Sequence, residues 1–325
     1  MALAPYSHPT TVCVVDDNES FVDSLSFELP SDWACQTFTD PFAARDYINT
    51  KPALPALADR CMSADLTSTH PTIHLDLSLI EQEINHVERF RRISVVVVDY
   101  AMPSLNGLEL CAQVADPDVR KIMLTGVADE KLAVEAFNAG LIHRFVPKQS
   151  GDAINVAIGY MADLRRDYFK QYTARLQGTL AVSPPAFLVD PTIAQHLQAL
   201  VREQGFVEYY LVDQPPGFLL LRSDGSMQRL LILDSQALAE QLQLAQDLGA
   251  PSQVCAELQA RRAACYMSGD DPRDYFGEAY PWDEKLVALQ GVAGNQDWFV
   301  GVADEPAPDI DFDPRRTSYD AYLGG

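Results

Sequence analysis

The sequence has few basic residues and no long hydrophobic run. Lysine and arginine number 24 among 325 residues, against 46 aspartates and glutamates, for a formal net charge of −22. A surface this acidic repels phosphate backbones and disfavours broad electrostatic binding to DNA, RNA or anionic lipid. No apolar run approaches the ~20 residues that a membrane helix needs, and the N-terminal residues do not resemble a secretory signal. We therefore expect a cytoplasmic protein that binds neither nucleic acid nor membranes.

Paired cysteines are also lacking. The six cysteines include no C-x-x-C pair. A disulfide framework is not expected in a chain of this length without a secretory signal, so we expect reduced cysteines that act as small hydrophobic residues.

The pattern of apolar residues indicates two domains of different class. In the first half, strand-like and helix-like segments alternate five times, and four consecutive valines at 95–98 suit a strand buried on both faces. This alternation predicts a doubly wound α/β domain with a five-stranded parallel sheet over residues 1–150. Residues 50–92 interrupt it before the third strand, and we interpret them as an insertion with a helix over residues 78–90.

The second half has strand-like segments joined by tight turns. Strands are predicted at 206–212, 218–222, 227–233, 286–292 and 298–302, and helices at 191–203, 235–248 and 252–267. Because tight turns join antiparallel neighbours, this pattern predicts an α+β domain with a mainly antiparallel sheet over residues 183–325, ending in an acidic tail. Residues 151–182 are predicted to form an extended helix and linker between the domains.

Charged and hydroxyl side chains stand where the strands of the first domain end. Asp16 and Asp17 follow the first strand, Asp99 and Thr125 end the third and fourth, and Lys148 follows the fifth. Ligands bind beyond the carboxyl ends of the strands in such a sheet, so we expect these groups to converge. Three carboxylates suit a hard divalent cation such as Mg²⁺, and an ammonium and a hydroxyl suit phosphoryl oxygens. The arrangement predicts phosphoryl transfer with an aspartate as nucleophile.

These residues lie in four short motifs in a fixed order. The motifs are V-V-D-D at 14–17, V-V-V-V-D-Y-A-M-P-S-L-N-G at 95–107, M-L-T-G at 123–126 and F-V-P-K at 145–148. With them, the sequence resembles the receiver domain of two-component response regulators over residues 10–160. The resemblance implies that Asp99 accepts a phosphoryl group from a sensor histidine kinase or a phosphotransfer protein.

The resemblance also implies roles for the neighbouring residues. Asp16, Asp17, Asp99 and the backbone carbonyl of Ala101 would hold Mg²⁺.

The remaining roles concern the phosphorylated state. Lys148 would pair with Asp99 and then with the phosphoryl oxygens, and Thr125 would hydrogen-bond the new phosphate. The ring of Phe145 would then move inward as a switch.

The second half resembles no family that we recognise, and its charge restricts its function. Residues 178–325 contain 22 acidic and 9 basic residues, so no basic DNA-reading face is visible. The leading hypothesis is a response regulator whose output domain acts through protein–protein interaction or through a homodimer formed by the helix at 152–176. The alternative is a receiver-controlled enzyme or ligand-sensing domain, with the acidic residues Asp270, Asp271, Asp274 and Glu278 as its candidate site. We find no separate enzymatic motif in this half of the sequence.

Overall fold

The secondary structure alternates in the first half and is mainly antiparallel in the second. The computed structural model describes residues 3–50, 57–65, 72–76, 78–126, 130–180, 185–213, 215–266, 281–304 and 312–324. Its strands are Tyr6–Ser7 (β1), Thr11–Val15 (β2), Cys35–Phe38 (β3), Met62–Asp65 (β4), Thr72–Leu75 (β5), Ile93–Asp99 (β6), Arg120–Thr125 (β7), Arg144–Pro147 (β8), Phe206–Val212 (β9), Gly217–Arg222 (β10), Met227–Asp234 (β11), Ala263–Cys265 (β12), Leu286–Ala288 (β13), Gln290–Ala293 (β14) and Asp297–Ala303 (β15).

The α-helices include one long helix of 28 residues. They are Glu19–Glu28 (α1), Pro41–Ile48 (α2), Leu57–Cys61 (α3), Ser78–Gln82 (α4), Gly107–Ala112 (α5), Glu130–Asn138 (α6), Ala153–Leu180 (α7), Pro191–Gln204 (α8), Ser235–Asp247 (α9), Ser252–Gln259 (α10), Pro314–Thr317 (α11) and Tyr319–Leu323 (α12). Short 3-10 helices cover Glu83–Asn85, Val87–Arg91 and Ala186–Val189. Within the described ranges, no helix is both long and apolar enough to cross a membrane.

The chain forms two compact units. The parallel-sheet unit comprises Pro9–Pro55 and Val87–Arg175, and the antiparallel-sheet unit comprises Met1–His8, Ala56–His86 and Leu176–Gly325. These units do not coincide with the segments expected from the sequence, because the N-terminal strand and most of the insertion group with the C-terminal half.

The parallel-sheet unit has the predicted fold. Its five strands are all parallel, in the order β3-β2-β6-β7-β8. The valines of β6 are fully buried because helices cover both faces: α2, α5 and α6 pack on one face, and α1 and α7 pack on the other. The prediction of a doubly wound parallel sheet is confirmed, and the carboxyl ends of β2, β6, β7 and β8 meet at one edge.

The antiparallel-sheet unit contains a six-stranded sheet in the order β1-β9-β10-β11-β15-β14. All neighbours in it are antiparallel, which confirms the predicted class of the second half. Its edge strand β1 comes from the N-terminus, where Tyr6 pairs with Tyr210 of β9. A separate hairpin, β4–β5, lies within the insertion and was not predicted.

The prediction of one helix over residues 78–90 is wrong. The segment consists of α4 and two 3-10 helices, separated at His86, whose backbone is extended. Ile80 and Ile84 are buried in the antiparallel-sheet unit, whereas Phe90 is buried in the parallel-sheet unit, where its carbonyl accepts a hydrogen bond from Thr11. The periodic apolar pattern therefore serves two cores rather than one helix face.

Two other boundaries differ from the sequence prediction. The helix expected over residues 252–267 ends at Gln259, since Arg261 takes a left-handed conformation (φ 56°) and β12 follows. The strand expected over residues 286–292 is divided at Leu289, because β13 pairs with β12 and β14 pairs with β15. The acidic tail ends in α11 and α12, where Tyr319 is buried and Asp320 donates its N–H to the Ser223 carbonyl.

Asp190 joins two elements of the antiparallel-sheet unit. It is fully buried at the N-terminus of α8, where its carboxylate accepts a hydrogen bond from the Thr192 amide at 2.8 Å. The same carboxylate accepts hydrogen bonds from the Asn295 amide at 2.6 Å and the Trp298 indole at 2.8 Å. One side chain thus caps a helix and fixes the turn between β14 and β15.

We predict that Asp190→Ala lowers the free energy of unfolding by about 3 kcal/mol, because it removes a cap and leaves buried N–H donors unpaired. Chemical denaturation measures this loss. Asp234→Ala is the matched control, since Asp234 caps α9 through the Ala237 amide and is only partly buried, and it should cost about 1 kcal/mol. Equal losses of stability in the two variants would contradict the conclusion that Asp190 both caps α8 and fixes the turn between β14 and β15.

Candidate functional site

The structure brings together the three aspartates that the sequence places at strand ends. Asp16 follows β2 and is fully buried, Asp99 ends β6 and is 5% exposed, and Asp17 is exposed beside them. One carboxylate oxygen from each of the three lies within 4.8 Å of the others. The predicted convergence at this edge of the sheet is therefore present in the structure.

Lys148, which follows the edge strand β8, contacts two of these carboxylates. Its Nζ lies 2.6 Å from Asp16 Oδ2 and 2.9 Å from Asp99 Oδ1. The Phe21 ring contacts the same ammonium group, with its centroid 4.8 Å from Nζ. Phe21 is an apolar residue of α1, and nothing in the sequence pattern marks it as a neighbour of the lysine.

Burial and the ion pairs act on the charges in opposite directions. Burial raises the pKa of the Asp16 carboxyl above its ordinary value, although hydrogen bonds from Lys148 and Asn18 partly offset it. Burial also disfavours the charged form of Lys148, but the two carboxylates outweigh it and raise the pKa of the ammonium group. Lys148 is therefore held in its charged form between the carboxylates.

Local backbone structure positions these side chains. The Asn18 amide donates to Asp16 Oδ1 at 3.0 Å, and the Asn18 side chain caps α1 by accepting from the Phe21 amide. At the start of α5, a β-carbon on Gly107 would lie 2.3 Å from the carbonyl oxygen of Asp99, the last residue of β6. Only glycine allows the start of α5 to approach the end of β6 this closely.

Thr125 ends β7 beside this cluster and is fully buried. Its Oγ1 has no hydrogen-bond partner among the described residues, whereas its backbone carbonyl accepts from the Lys148 amide at 2.9 Å. A buried hydroxyl group without a hydrogen-bond partner is uncommon in native proteins. It is typical of a hydroxyl group that forms its hydrogen bond in only some states of the protein.

The two other predicted site residues lie near the cluster, and their roles stay predictions. Ala101 is exposed in the turn two residues after Asp99. Phe145 lies in β8, partly buried against the core under α5 and α6. The acidic residues 270–278, considered for an enzyme in the second half, lie outside the described residues.

The donor set fits a magnesium ion. Three carboxylates and one ammonium leave an excess of negative charge, and carboxylate oxygens are the hard ligands that Mg²⁺ prefers. Asp16, Asp17 and Asp99 would hold the ion, together with the Ala101 carbonyl implied by the resemblance.

Comparison with known proteins agrees with this geometry. The family described as the response regulator receiver domain matches residues 77–157. The response regulator LqsR of Legionella pneumophila is 30% identical in sequence and has a TM-score of 0.80, with all of this chain and 97% of that chain covered. The chain belongs to the two-component response regulators. No curated protein sequence matches this chain significantly.

Two further solved structures align with about half of this response regulator. A CheY-like receiver domain protein of Methanospirillum hungatei JF-1 is 15% identical, with a TM-score of 0.35, and the aligned region covers 50% of this chain and 98% of that chain. An adenylate cyclase of Rhodopirellula baltica is 22% identical, with a TM-score of 0.34, and the aligned region covers 55% of this chain and 99% of that chain.

We predict that Gly107→Ala destabilises the protein by about 2 kcal/mol, because the new methyl group would overlap the Asp99 carbonyl and separate α5 from β6. Thermal and chemical denaturation measure the effect. Gly159→Ala is the matched control: Gly159 lies in α7 with nothing within 4 Å of the added β-carbon, so alanine there should be neutral or stabilising by up to about 1 kcal/mol. Similar effects of Gly107→Ala and Gly159→Ala would show that the approach of α5 to the end of β6 does not require glycine.

Proposed function

We propose that this response regulator accepts a phosphoryl group on Asp99 from a sensor histidine kinase or a phosphotransfer protein. The observation that supports the proposal is the ion-paired cluster at the carboxyl ends of β2, β6 and β8, where Lys148 contacts both Asp16 and Asp99. A buried carboxylate with one oxygen held by an ammonium group is an oriented nucleophile rather than a solvated surface charge.

In the proposed reaction, Asp99 forms an acyl phosphate. A carboxylate oxygen of Asp99 attacks the phosphorus of a phosphohistidine, a P–O bond forms, the P–N bond breaks, and the departing imidazole nitrogen keeps the electron pair and takes up a proton. Lys148 orients the carboxylate through Oδ1 and then pairs with the phosphoryl oxygens. Mg²⁺ bound by the aspartates would neutralise negative charge on the phosphoryl oxygens.

Thr125 and Phe145 are the residues proposed to report the phosphorylated state. The buried Oγ1 of Thr125, which has no partner in the described part of the chain, would donate a hydrogen bond to a phosphoryl oxygen on Asp99. Phe145, only partly buried beside that strand, would then move inward. The change would alter the surface formed by α6 and β8.

For the antiparallel-sheet unit we propose an output that acts through protein–protein contacts rather than DNA binding. The second half is acidic, with 22 acidic and 9 basic residues over 178–325. We also propose a homodimer that forms through the helix expected at 152–176, of which residues 153–176 lie in α7.

We predict that Asp99→Asn abolishes incorporation of acid-labile phosphate, because an amide cannot form an acyl phosphate. Incubation with Mg²⁺ and a small phosphoryl donor such as acetyl phosphate, followed by intact-mass analysis, measures the incorporation. Asp17→Asn should retain the nucleophile and raise the Mg²⁺ concentration needed for half-maximal labelling by about tenfold or more.

The matched control for both changes is Asp23→Asn, which removes one exposed carboxylate from α1 without touching the cluster. This variant should label at the rate of the unmodified protein. Labelling of Asp99→Asn that remains sensitive to acid would show that another residue is the acceptor.

We predict that phosphorylation shifts the protein from monomer towards dimer. Sedimentation velocity at one protein concentration, before and after incubation with the phosphoryl donor, measures the shift. Asp99→Asn, treated in the same way, should sediment unchanged. An identical sedimentation coefficient for fully labelled and unlabelled protein would exclude dimerisation as the output.

A further inference from the structure

A pocket lies at the end of the parallel sheet opposite the carboxylate cluster. Its volume is about 530 Å³, and its walls come from the end of α2, the residues that lead into β6, the connection between α5 and β7, and α7. This volume is within the range of sites that bind small organic molecules. All the lining residues that the structure describes belong to the parallel-sheet unit, so the pocket is formed within one compact unit.

The pocket is separate from the proposed phosphorylation site. Ile93 lines the pocket at the start of β6, and Asp99 ends the same strand. Six residues of extended chain, at about 3.3 Å per residue, separate them by roughly 20 Å. A ligand in the pocket would therefore not contact the carboxylates.

The walls of the pocket are mainly apolar and include two aromatic rings. Tyr47 from α2 and Tyr168 from α7 contribute the rings, and Ile93 and Val119 contribute aliphatic surface. The Tyr47 ring also packs against Phe38, with the two ring centroids 5.2 Å apart, which holds it in place at the wall. Such walls favour a ligand with an apolar ring system, which buries area against aromatic and aliphatic side chains.

The uncharged polar groups of the lining already form hydrogen bonds within the protein. The Asn49 side chain donates to the Gln113 carbonyl and accepts from the Ala115 amide, both at 2.8 Å. The Thr50 hydroxyl donates to the Asp46 carbonyl at 2.9 Å. These groups therefore offer a ligand little hydrogen bonding, and a strongly polar ligand would lose its hydration without replacing it.

The charges of the lining balance one another. Among the lining residues that the structure describes, Arg91 and Arg92 are positive, and Glu88 and Asp116 are negative. Arg91 pairs with Glu88 at 3.2 Å. The Asp116 carboxylate accepts a hydrogen bond from the Asp118 amide at 2.9 Å. The lining thus has no net charge that would select a ligand of either sign.

The charges behind the wall are also compensated. Arg120 follows Val119 and is buried, but it does not line the pocket. Its charge interacts with the carboxylates of Asp118 and Asp167, so it is not left to attract a ligand. A charged ligand would lose its hydration here without meeting an unopposed charge of the opposite sign, which disfavours anions and cations alike.

We propose that this pocket binds an uncharged small molecule with an apolar ring system. The rings of Tyr47 and Tyr168 and the side chains of Ile93 and Val119 would contact the ring system. The absence of a net charge in the lining sets the preference for an uncharged ligand. The proposal goes beyond phosphorylation of Asp99 and does not depend on it.

Three naphthalene derivatives that differ in charge test the proposal on the full chain. They are uncharged 1-naphthalenemethanol, anionic 1-naphthoate and cationic 1-naphthylmethylammonium, each used at neutral pH to displace the fluorescent uncharged probe N-phenyl-1-naphthylamine. We expect the probe to saturate a single site, and the alcohol to displace it at a concentration about tenfold lower than either ion, because burial of an uncompensated charge is costly. Displacement by either ion at the same or a lower concentration than the alcohol would overturn the proposal.

Variants at Ala115 locate the binding site. Ala115 lines the pocket and is exposed, so Ala115→Trp should fill the rim without disturbing the core and abolish probe binding. Ala115→Lys adds one uncompensated positive charge and should narrow the difference between 1-naphthoate and the alcohol. Ala43→Trp, at an exposed position of α2 outside the lining, is the matched control and should leave probe binding unchanged. Undiminished binding of the probe to Ala115→Trp would show that the pocket is not the site.

Discussion

The ion pairs of Lys148 with Asp16 and Asp99 are the interaction on which the carboxyl end of the parallel sheet depends. Two unit charges 4 Å apart interact by about 4 kcal/mol at an effective dielectric constant near 20, so buried Asp16 and Asp99 would repel strongly without a cation. Lys148 follows the edge strand β8 and reaches across β7 to both carboxylates, at 2.6 and 2.9 Å. The positions of three strand ends are therefore tied to one side chain.

A second constraint is the path of the chain between its two units. The boundaries fall after His8, Pro55, His86 and Arg175, so the chain passes four times from one unit to the other. Ile84 and Phe90 show the consequence at residue level: they belong to one apolar pattern but are buried in different cores. Each unit is therefore built from segments that are not contiguous in the sequence.

How much of this could be read from the sequence depended on whether the contacts were local. The valines at 95–98 and the helical pattern over residues 191–203 act through local sequence preference, and the elements that contain them, β6 and α8, were predicted closely. The residues of the site were found because parallel strands end at one edge, a property of the fold class. The pairing of β1 with β9, the break at His86 and the contact of Phe21 with Lys148 depend on residues far apart in sequence, which periodicity does not report.

The same non-local contacts decide how the output half is to be studied. A fragment beginning at residue 183 would lack β1, and would expose the β9 edge that β1 covers through the pairing of Tyr6 with Tyr210. It would also lack Glu81 of α4, which lies 3.6 Å from the fully buried guanidinium of Arg229 in β11. Removing Glu81, which is itself partly exposed, would leave the buried charge of Arg229 without this carboxylate in a low-dielectric environment, which is destabilising. The output unit therefore requires the N-terminal strand and the insertion, and a measurement of its binding partners is meaningful only on a chain that contains all three segments.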